Sequence, residues 1–310
     1  DRSIAWIMSK TMKLSGAESL SAAGNIFLGQ TEAPLLVKPY IKKMTQSELM
    51  CLMTGGMATI AGGVFAAYVA LLGGSDSEES LKFATILLTA SIMNAPAGIV
   101  MSKIFQPENI DNSINKNLDL SNEDLGSNAI HALAKGASDG LKLALNIAAM
   151  LLAFLAVVYM LNYFLEFFGD ITALNSWINN FSDGQFDKLS MEFLLGQVFR
   201  VFAFMIGIPW NESALVGSLL GQKFVLNEFI AYLNLAEMKS AGFLSEKSIL
   251  ISTYALCGFA NFSSIAIQIG GIGSMAPSRQ KDISKLGLRA LLAATLATLL
   301  TGNIAGFIIA

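Results

Sequence analysis

Five runs of the chain carry no charged residue and are long enough to cross a bilayer: 49–75, 83–102, 143–165, 248–278 and 290–310. A spanning helix needs about 20 apolar residues, so each run predicts a membrane helix. With their polar flanks, these become helices over 47–73, 80–104, 136–168, 246–271 and 283–310. Two more apolar stretches, 15–43 and 191–237, are interrupted by glycine and polar residues and do not read as single spans. Residues 1–14 place Ile4, Trp6, Ile7 and Met8 beside Lys10 and Lys13, the pattern of an amphipathic helix lying on a membrane surface. The segment 105–127, rich in Asn, Asp and Ser, predicts the longest hydrophilic connection. After the long 136–168 helix, which has no breaker in its apolar stretch and suits a scaffold role, Trp177, Phe181 and Phe186 lie among Asp170, Asp183 and Asp187. That mixture of aromatic and acidic residues predicts an interfacial segment, which completes the block 105–190.

The interruptions carry a second pattern. Basic residues flank the broken segment 15–43, with Lys38, Lys42 and Lys43 at its end, which predicts a hairpin that enters and leaves on one face. Such backbone is tolerated at membrane depth only inside protein or beside water. The following span holds Gly55-Gly56-Met57-Ala58-Thr59-Ile60-Ala61-Gly62-Gly63, where glycine weakens the helix and predicts unwinding across 55–63. The next contains Asn94-Ala95-Pro96-Ala97-Gly98, a predicted kink. The order returns in 191–310: a broken stretch, a span interrupted at Cys257-Gly258-Phe259-Ala260-Asn261-Phe262-Ser263-Ser264, then a plainer span. Placing the lysines of the first hairpin in the cytoplasm puts the loop of Asp76, Glu78 and Glu79 outside and the basic loop of Arg279, Lys281, Lys285 and Arg289 inside, as the positive-inside rule requires. The second hairpin then enters from the opposite face and the carboxyl terminus lies on the outer side. The expected fold is an all-α polytopic membrane protein of two inverted repeats, 15–104 and 191–310. Each repeat is a re-entrant hairpin, an unwound helix and a further helix, around a long scaffold helix, with a substrate site near mid-membrane.

Composition agrees with membrane residence. Only 14% of the 310 residues are charged and the mean hydropathy is +0.57, against about 25% charged in soluble domains. A net charge of −3 gives no reason to expect a nucleic-acid partner. Cys51 and Cys257 lie in apolar runs and indicate neither a disulfide framework nor a metal site, and the single histidine, His131, reads as a helix-surface residue. The start, Asp1-Arg2-Ser3-Ile4-Ala5-Trp6, has no signal-peptide pattern and no initiator methionine, so a piece of a longer chain is expected.

Carboxylates at membrane depth cost about 3 kcal/mol on insertion scales and are functional candidates by default. Glu32 and Glu228 stand at the interruptions of the two hairpins, while Glu212 is equally well read as structural. Gln30, Thr31, Glu32, Asn227, Glu228, Asn261 and Ser264 supply donors and acceptors for a substrate rich in hydroxyl and amide groups. They include no cationic cluster, which argues against a phosphorylated or strongly anionic substrate; Lys223 has no evident place in this scheme. Sodium requires several oxygen ligands, which Asn25, Thr59 and neighbouring free carbonyls can offer.

Three motifs then point to one family. The runs Gly29-Gln30-Thr31-Glu32-Ala33-Pro34-Leu35-Leu36, Gly221-x-Lys223-x-x-x-Asn227-Glu228-Phe229-Ile230-Ala231-Tyr232 and Gly258-Phe259-Ala260-Asn261-Phe262-Ser263-Ser264 resemble the concentrative nucleoside transporters, from about residue 6 to the end, without that family's amino-terminal helices. The resemblance implies a sodium- or proton-coupled nucleoside symporter in the cell's inner (plasma) membrane, assembled as a homotrimer with one pathway per protomer. It implies base-binding residues at Gln30, Thr31 and Glu32, and sugar-binding residues at Glu228, Asn261 and Ser264 with Phe259 beside the base. It also implies a sodium site at Asn25, Leu28, Thr59 and Ile60, two of them through backbone carbonyls. The presence of both Asn25 and Thr59 matches the sodium-coupled members, so sodium is the expected co-transported ion and uridine, adenosine or a similar nucleoside the substrate. The side-chain-free Gly29 leaves room for a purine. A proton-coupled nucleoside symporter is the nearest alternative, followed by a two-hairpin symporter for another small polar solute. A membrane-embedded enzyme is disfavoured, since it needs a nucleophile or metal set and the one histidine is far in sequence from both glutamates.

Overall fold

A computed structural model describes residue 12 and residues 14–108, 129–182 and 184–309, which are helical with no strand among them. The surface helix expected at 1–14 and the polar connection at 105–127 fall almost wholly outside these residues, as does Asp183. The described residues form two units, one from 14–108 with 195–309 and the other from 129–182 with 184–194.

The first unit holds both repeats. Helix α1 (Gly16–Asn25) starts at Ser15, whose hydroxyl accepts from the backbone of Glu18 while the Glu18 carboxylate accepts from the backbone of Ser15. This capping box satisfies two of the donors that a helix start leaves open. The chain turns at Phe27–Glu32, then returns through a 3-10 segment, Ala33–Val37, and the single-turn helix α2 (Lys38–Ile41). Thr45 and Glu48 form a second capping box that opens α3 (Gln46–Ala58). Helix α3 stops at Thr59, which is extended, and α4 (Gly62–Gly73) follows; α5 (Ser77–Phe105) closes the repeat.

One sequence expectation changes here. Unwinding is confined to Thr59–Ala61 rather than spread over 55–63, and Gly55 and Gly56 stay helical. Their low helix propensity is outweighed by tertiary packing, and a Cβ at Gly56 would sit 3.2 Å from the backbone of Gln30. The missing side chains thus admit the first hairpin. Helix α5 runs as one element through Pro96.

The second repeat reproduces the order. Helix α8 (Met191–Met205) precedes it and meets α9 (Trp210–Val225) at a bend of 116°. The hairpin arms are α9 and α10 (Glu228–Ser240), joined at Leu226–Asn227. Helix α11 (Glu246–Leu256), capped by the Ser245 hydroxyl, breaks at Cys257–Asn261 before α12 (Phe262–Met275); α13 (Gln280–Ile309) corresponds to α5. Among the described residues, three stretches, Gln46–Gly73, Ser77–Phe105 and Pro277–Ile308, are long and apolar enough to cross a membrane, or up to five if each bent helix pair counts as one span. The sequence-predicted 246–271 span is thus two half-helices, each too short to cross alone.

The base of each hairpin is tied to the opposite repeat. At the end of α10, Lys239 donates to the Leu72 carbonyl at 2.7 Å, pairs with Glu79 at the start of α5, and lies 4.7 Å from the Phe83 ring centre. At the other end, Arg279 pairs with Asp282 at the start of α13 and donates to the carbonyls of Ile41, Lys42 and Met44, where the first hairpin ends. Lys103 near the end of α5 pairs with Glu18 of α1 and donates to Ser47 at 2.9 Å.

The second unit contains α6 (Ala129–Ile171), longer at both ends than the 136–168 expected, and α7 (Leu174–Phe181), folded back at 97°. The turn between them uses Ala173 at φ 59°, and Asn175 donates to the Glu166 carbonyl at 3.0 Å. Trp177 and Phe181 stack at 4.9 Å and are exposed. His131 is exposed on α6.

Candidate functional site

The two helix breaks touch. Gly258 has φ 145°, and a Cβ there would fall 2.5 Å from the Ala58 carbonyl at the end of α3. Only glycine tolerates both that conformation and that approach. The amide of Asn94, in the middle of α5, donates to the freed Cys257 carbonyl at 2.7 Å and accepts from Thr301 of α13 at 2.6 Å. Ser91, one turn earlier, donates to the Ile26 carbonyl at the first hairpin's turn, 2.9 Å away. Helix α5 therefore supplies polar groups of the kind that broken backbone demands at membrane depth, and α13 holds one of them in place.

Around this crossing a chain of hydrogen bonds joins the two hairpins. Gln30 Nε2, at the tip of the first, donates to Ser264 Oγ at 3.0 Å. The Ser264 backbone N–H donates to Asn261 Oδ1 at 2.9 Å, which also accepts from Ser263 at 2.6 Å. Asn261 Nδ2 donates to Glu228 Oε2 at 3.0 Å, and the Tyr68 hydroxyl donates to Glu228 Oε1 at 2.8 Å. Gln30, Asn261, Ser264, Glu228 and Tyr68 are all buried. Asn261 serves twice, capping α12 and holding the carboxylate. Gln30 Oε1 has no hydrogen-bond partner, nor does Gln268 Oε1, one turn beyond Ser264 on the same face of α12. Glu32 and Thr31 are half-buried beside this chain: a Cβ at Gly29 would lie 2.2 Å from Glu32 Oε2, and one at Gly271 would lie 2.9 Å from Thr31 Cγ2. Phe259 is half-buried within the second break. Donors, acceptors and the Glu228 carboxylate, with Glu32 beside them, thus converge, and among the described residues no cation is hydrogen-bonded to this chain, a set suited to a neutral solute carrying hydroxyl and amide groups.

Three of the residues expected to hold sodium, Asn25, Thr59 and Ile60, lie in or beside the first break. Gly55 links two of them: its carbonyl accepts from Thr59 Oγ1 at 2.9 Å, and a Cβ on it would be 3.1 Å from Asn25 Nδ2. Asn25 is buried and its Oδ1 is unpartnered. A hydroxyl that donates keeps its lone pairs for a cation, and an orphaned amide oxygen is a ready ligand, so the donor set fits sodium. Ile60 lies in the break itself, whereas Leu28 is on the hairpin turn with an exposed side chain, leaving its carbonyl as the coordinating group on offer. Among the described residues no cluster of three or more His, Cys, Asp or Glu could hold a transition metal.

Other candidates lie elsewhere. Asn227 caps α10 through the Ile230 N–H at 3.0 Å, and half-buried Glu212 accepts from the backbone and hydroxyl of Ser245. Lys223 is buried, donating to the Ala255 carbonyl and Thr298 Oγ1 at 2.9 Å each, so it ties α9 to α11 and α13. Sequence reasoning missed Tyr68, Asn94 and Gln268. The signal was present: each puts a polar group inside an uncharged run, and a buried tyrosine hydroxyl needs a partner.

Known proteins resemble this chain over nearly its whole length. A family model described as the Na+ dependent nucleoside transporter C-terminus matches residues 86–306, and a nucleoside recognition (Gate) model matches residues 2–75. An uncharacterized transporter of Haemophilus influenzae is 42% identical over 306 residues, covering 97% of this chain and 68% of that protein. Sodium/nucleoside cotransporter 1 of Rattus norvegicus is 40% identical over 320 residues, covering 98% of this chain and 46% of that protein. The solved structure of CNTnw in an inward-facing substrate-bound state superposes with a TM-score of 0.84 at 38% identity, over 99% of this chain and 68% of CNTnw. These relatives are transporters rather than enzymes, and the chain is a multi-pass membrane protein. It belongs to the concentrative nucleoside transporter family.

Proposed function

We propose that the protein is a sodium-coupled symporter that takes up nucleosides across the cell's inner (plasma) membrane by alternating access. The observation that carries the reading is the buried chain from Gln30 through Ser264 and Asn261 to Glu228, which joins the tips of both hairpins. Gln30, Thr31 and Glu32 hold the base, while Glu228, Asn261 and Ser264 hold the sugar hydroxyls, with Phe259 beside the base. A hydroxyl donating to a charged acceptor makes one of the stronger neutral-to-ion hydrogen bonds. Sodium is co-transported cargo, held by Asn25, Thr59 and the carbonyls of Leu28 and Ile60. Because these residues span the first hairpin and the first break, the ion orders the hairpin tip and completes half of the substrate site. The family model's description and the rat relative's name both carry sodium. Homotrimeric assembly rests on the family resemblance, and the outward carboxyl terminus on the charge distribution of the loops.

The test is uptake into liposomes containing the purified protein. Uridine accumulation should require an inward sodium gradient and be competed by adenosine but not by aspartate. Uptake driven equally well by a proton gradient in sodium-free buffer would replace the coupling ion. Competition by aspartate would sink the nucleoside assignment. Glu228→Gln should reduce uridine uptake at least tenfold, as expected for loss of a charged acceptor.

A further inference from the structure

We infer that Tyr68 is a positioning residue for the sugar subsite, fixing the plane of the Glu228 carboxylate so that its open lone pairs face a sugar diol. This rests on the substrate reading given above.

The hydroxyl of Tyr68 and the side-chain amide of Asn261 each donate to a different oxygen of Glu228, at 2.8 and 3.0 Å. The terminal torsion of a glutamate is broad and roughly two-fold when free. With a donor on each oxygen, the carboxylate cannot turn without losing one bond. Asn261 is itself locked, because its Oδ1 caps α12. Tyr68 is locked too: its ring stacks on Tyr232 at 4.4 Å with Phe229 tilted against it at 6.2 Å, and the Tyr232 hydroxyl is anchored on the Thr253 carbonyl at 2.8 Å. Both donors are therefore held in place by contacts of their own.

The arrangement across the two repeats supports a positioning role over incidental pairing of a buried hydroxyl. Gln30, at the first hairpin's tip, is held by Ser264 at the start of α12, the second half of the broken helix in the other repeat. Glu228, at the second hairpin, is held by Tyr68 of α4, the corresponding half-helix of the first repeat. Each tip is thus oriented by the half-helix opposite.

The discriminating variant is Tyr68→Phe, which keeps the stacked ring and removes only the donor. Uptake kinetics would be measured for uridine and for 2′,3′-dideoxyuridine, which lacks the diol, with Glu228→Gln alongside. The expected result is a rise in uridine KM of about tenfold for Tyr68→Phe, with dideoxyuridine changed less than about twofold and maximal rate retained. A purely structural role would shift both substrates together and would overturn the proposal. If Glu228→Gln erases the preference for the diol and Tyr68→Phe keeps it, the positioning role fails while the sugar subsite stands. If neither variant alters the preference, the sugar assignment itself falls, and this inference with it. Thermal melting of both variants in detergent identifies a folding defect; if Tyr68→Phe melts early, Tyr68→His, which offers a ring N–H donor, should recover part of the diol preference, and no recovery overturns the proposal.

Discussion

Gly258 and Gly56 show how much of this site depends on side chains that are missing. At Gly258 an alanine meets both a left-handed φ of 145° and a backbone oxygen at 2.5 Å. Backbone strain alone is worth about 1–3 kcal/mol, so Gly258→Ala should lower the melting temperature in detergent and abolish uptake. Gly56→Ala is milder: its Cβ meets Gln30 Cβ at 3.0 Å and Gln30 Cα at 3.2 Å. That substitution should displace the hairpin tip and raise the uridine KM, with a smaller change in melting temperature than Gly258→Ala. The polar residues follow a related logic. Asn25 has an orphaned oxygen and Thr59 a hydroxyl that already donates, so both have acceptor capacity left for an ion. The double variant Asn25→Ala, Thr59→Ala should flatten the sodium dependence of uptake; a sodium response as steep as the parent's would remove these residues from the ion site.

Among the helices, the interruptions work because whole neighbours compensate for them. The break at Cys257–Asn261 frees the buried Cys257 carbonyl, which Asn94 of α5 satisfies with Thr301 of α13 behind it, and Ser91 of α5 does the same for the Ile26 carbonyl where α1 ends. Asn94→Leu should therefore be more disruptive than its apolar surroundings suggest, since it orphans the Cys257 carbonyl at a cost of about 1–3 kcal/mol; a melting curve checks this. The hairpin bases are held less equally. Arg279 reaches three carbonyls of the first hairpin and a carboxylate, whereas Lys239 reaches one carbonyl and a partly exposed Glu79. Exposed pairs are worth under about 1 kcal/mol and are screened by salt. Arg279→Ala should thus lower the melting temperature more than Lys239→Ala does, and the gap should persist in high salt.

At the scale of the whole molecule, the sequence by itself determined the class and the plan. Uncharged runs of sufficient length dictate membrane helices, because apolar length is a local property. The repetition of a broken stretch, an interrupted span and a plain span located both hairpins, and Gln30, Glu228, Asn261 and Ser264 were legible as polar residues where polarity is costly. What periodicity and composition could not decide was how the two repeats meet. Unwinding was expected across 55–63 because glycine weakens helices, but packing kept Gly55 and Gly56 helical and moved the break to Thr59–Ala61. Lys223 was unplaced because its partners, Ala255 and Thr298, are 32 and 75 residues away. Tyr68 showed a polar group in an uncharged run, but its partner was hidden for the same reason, lying 160 residues away. A sequence states which groups need partners at membrane depth; only the tertiary structure decides which partners they find, because that choice is made by elements brought together from opposite ends of the chain.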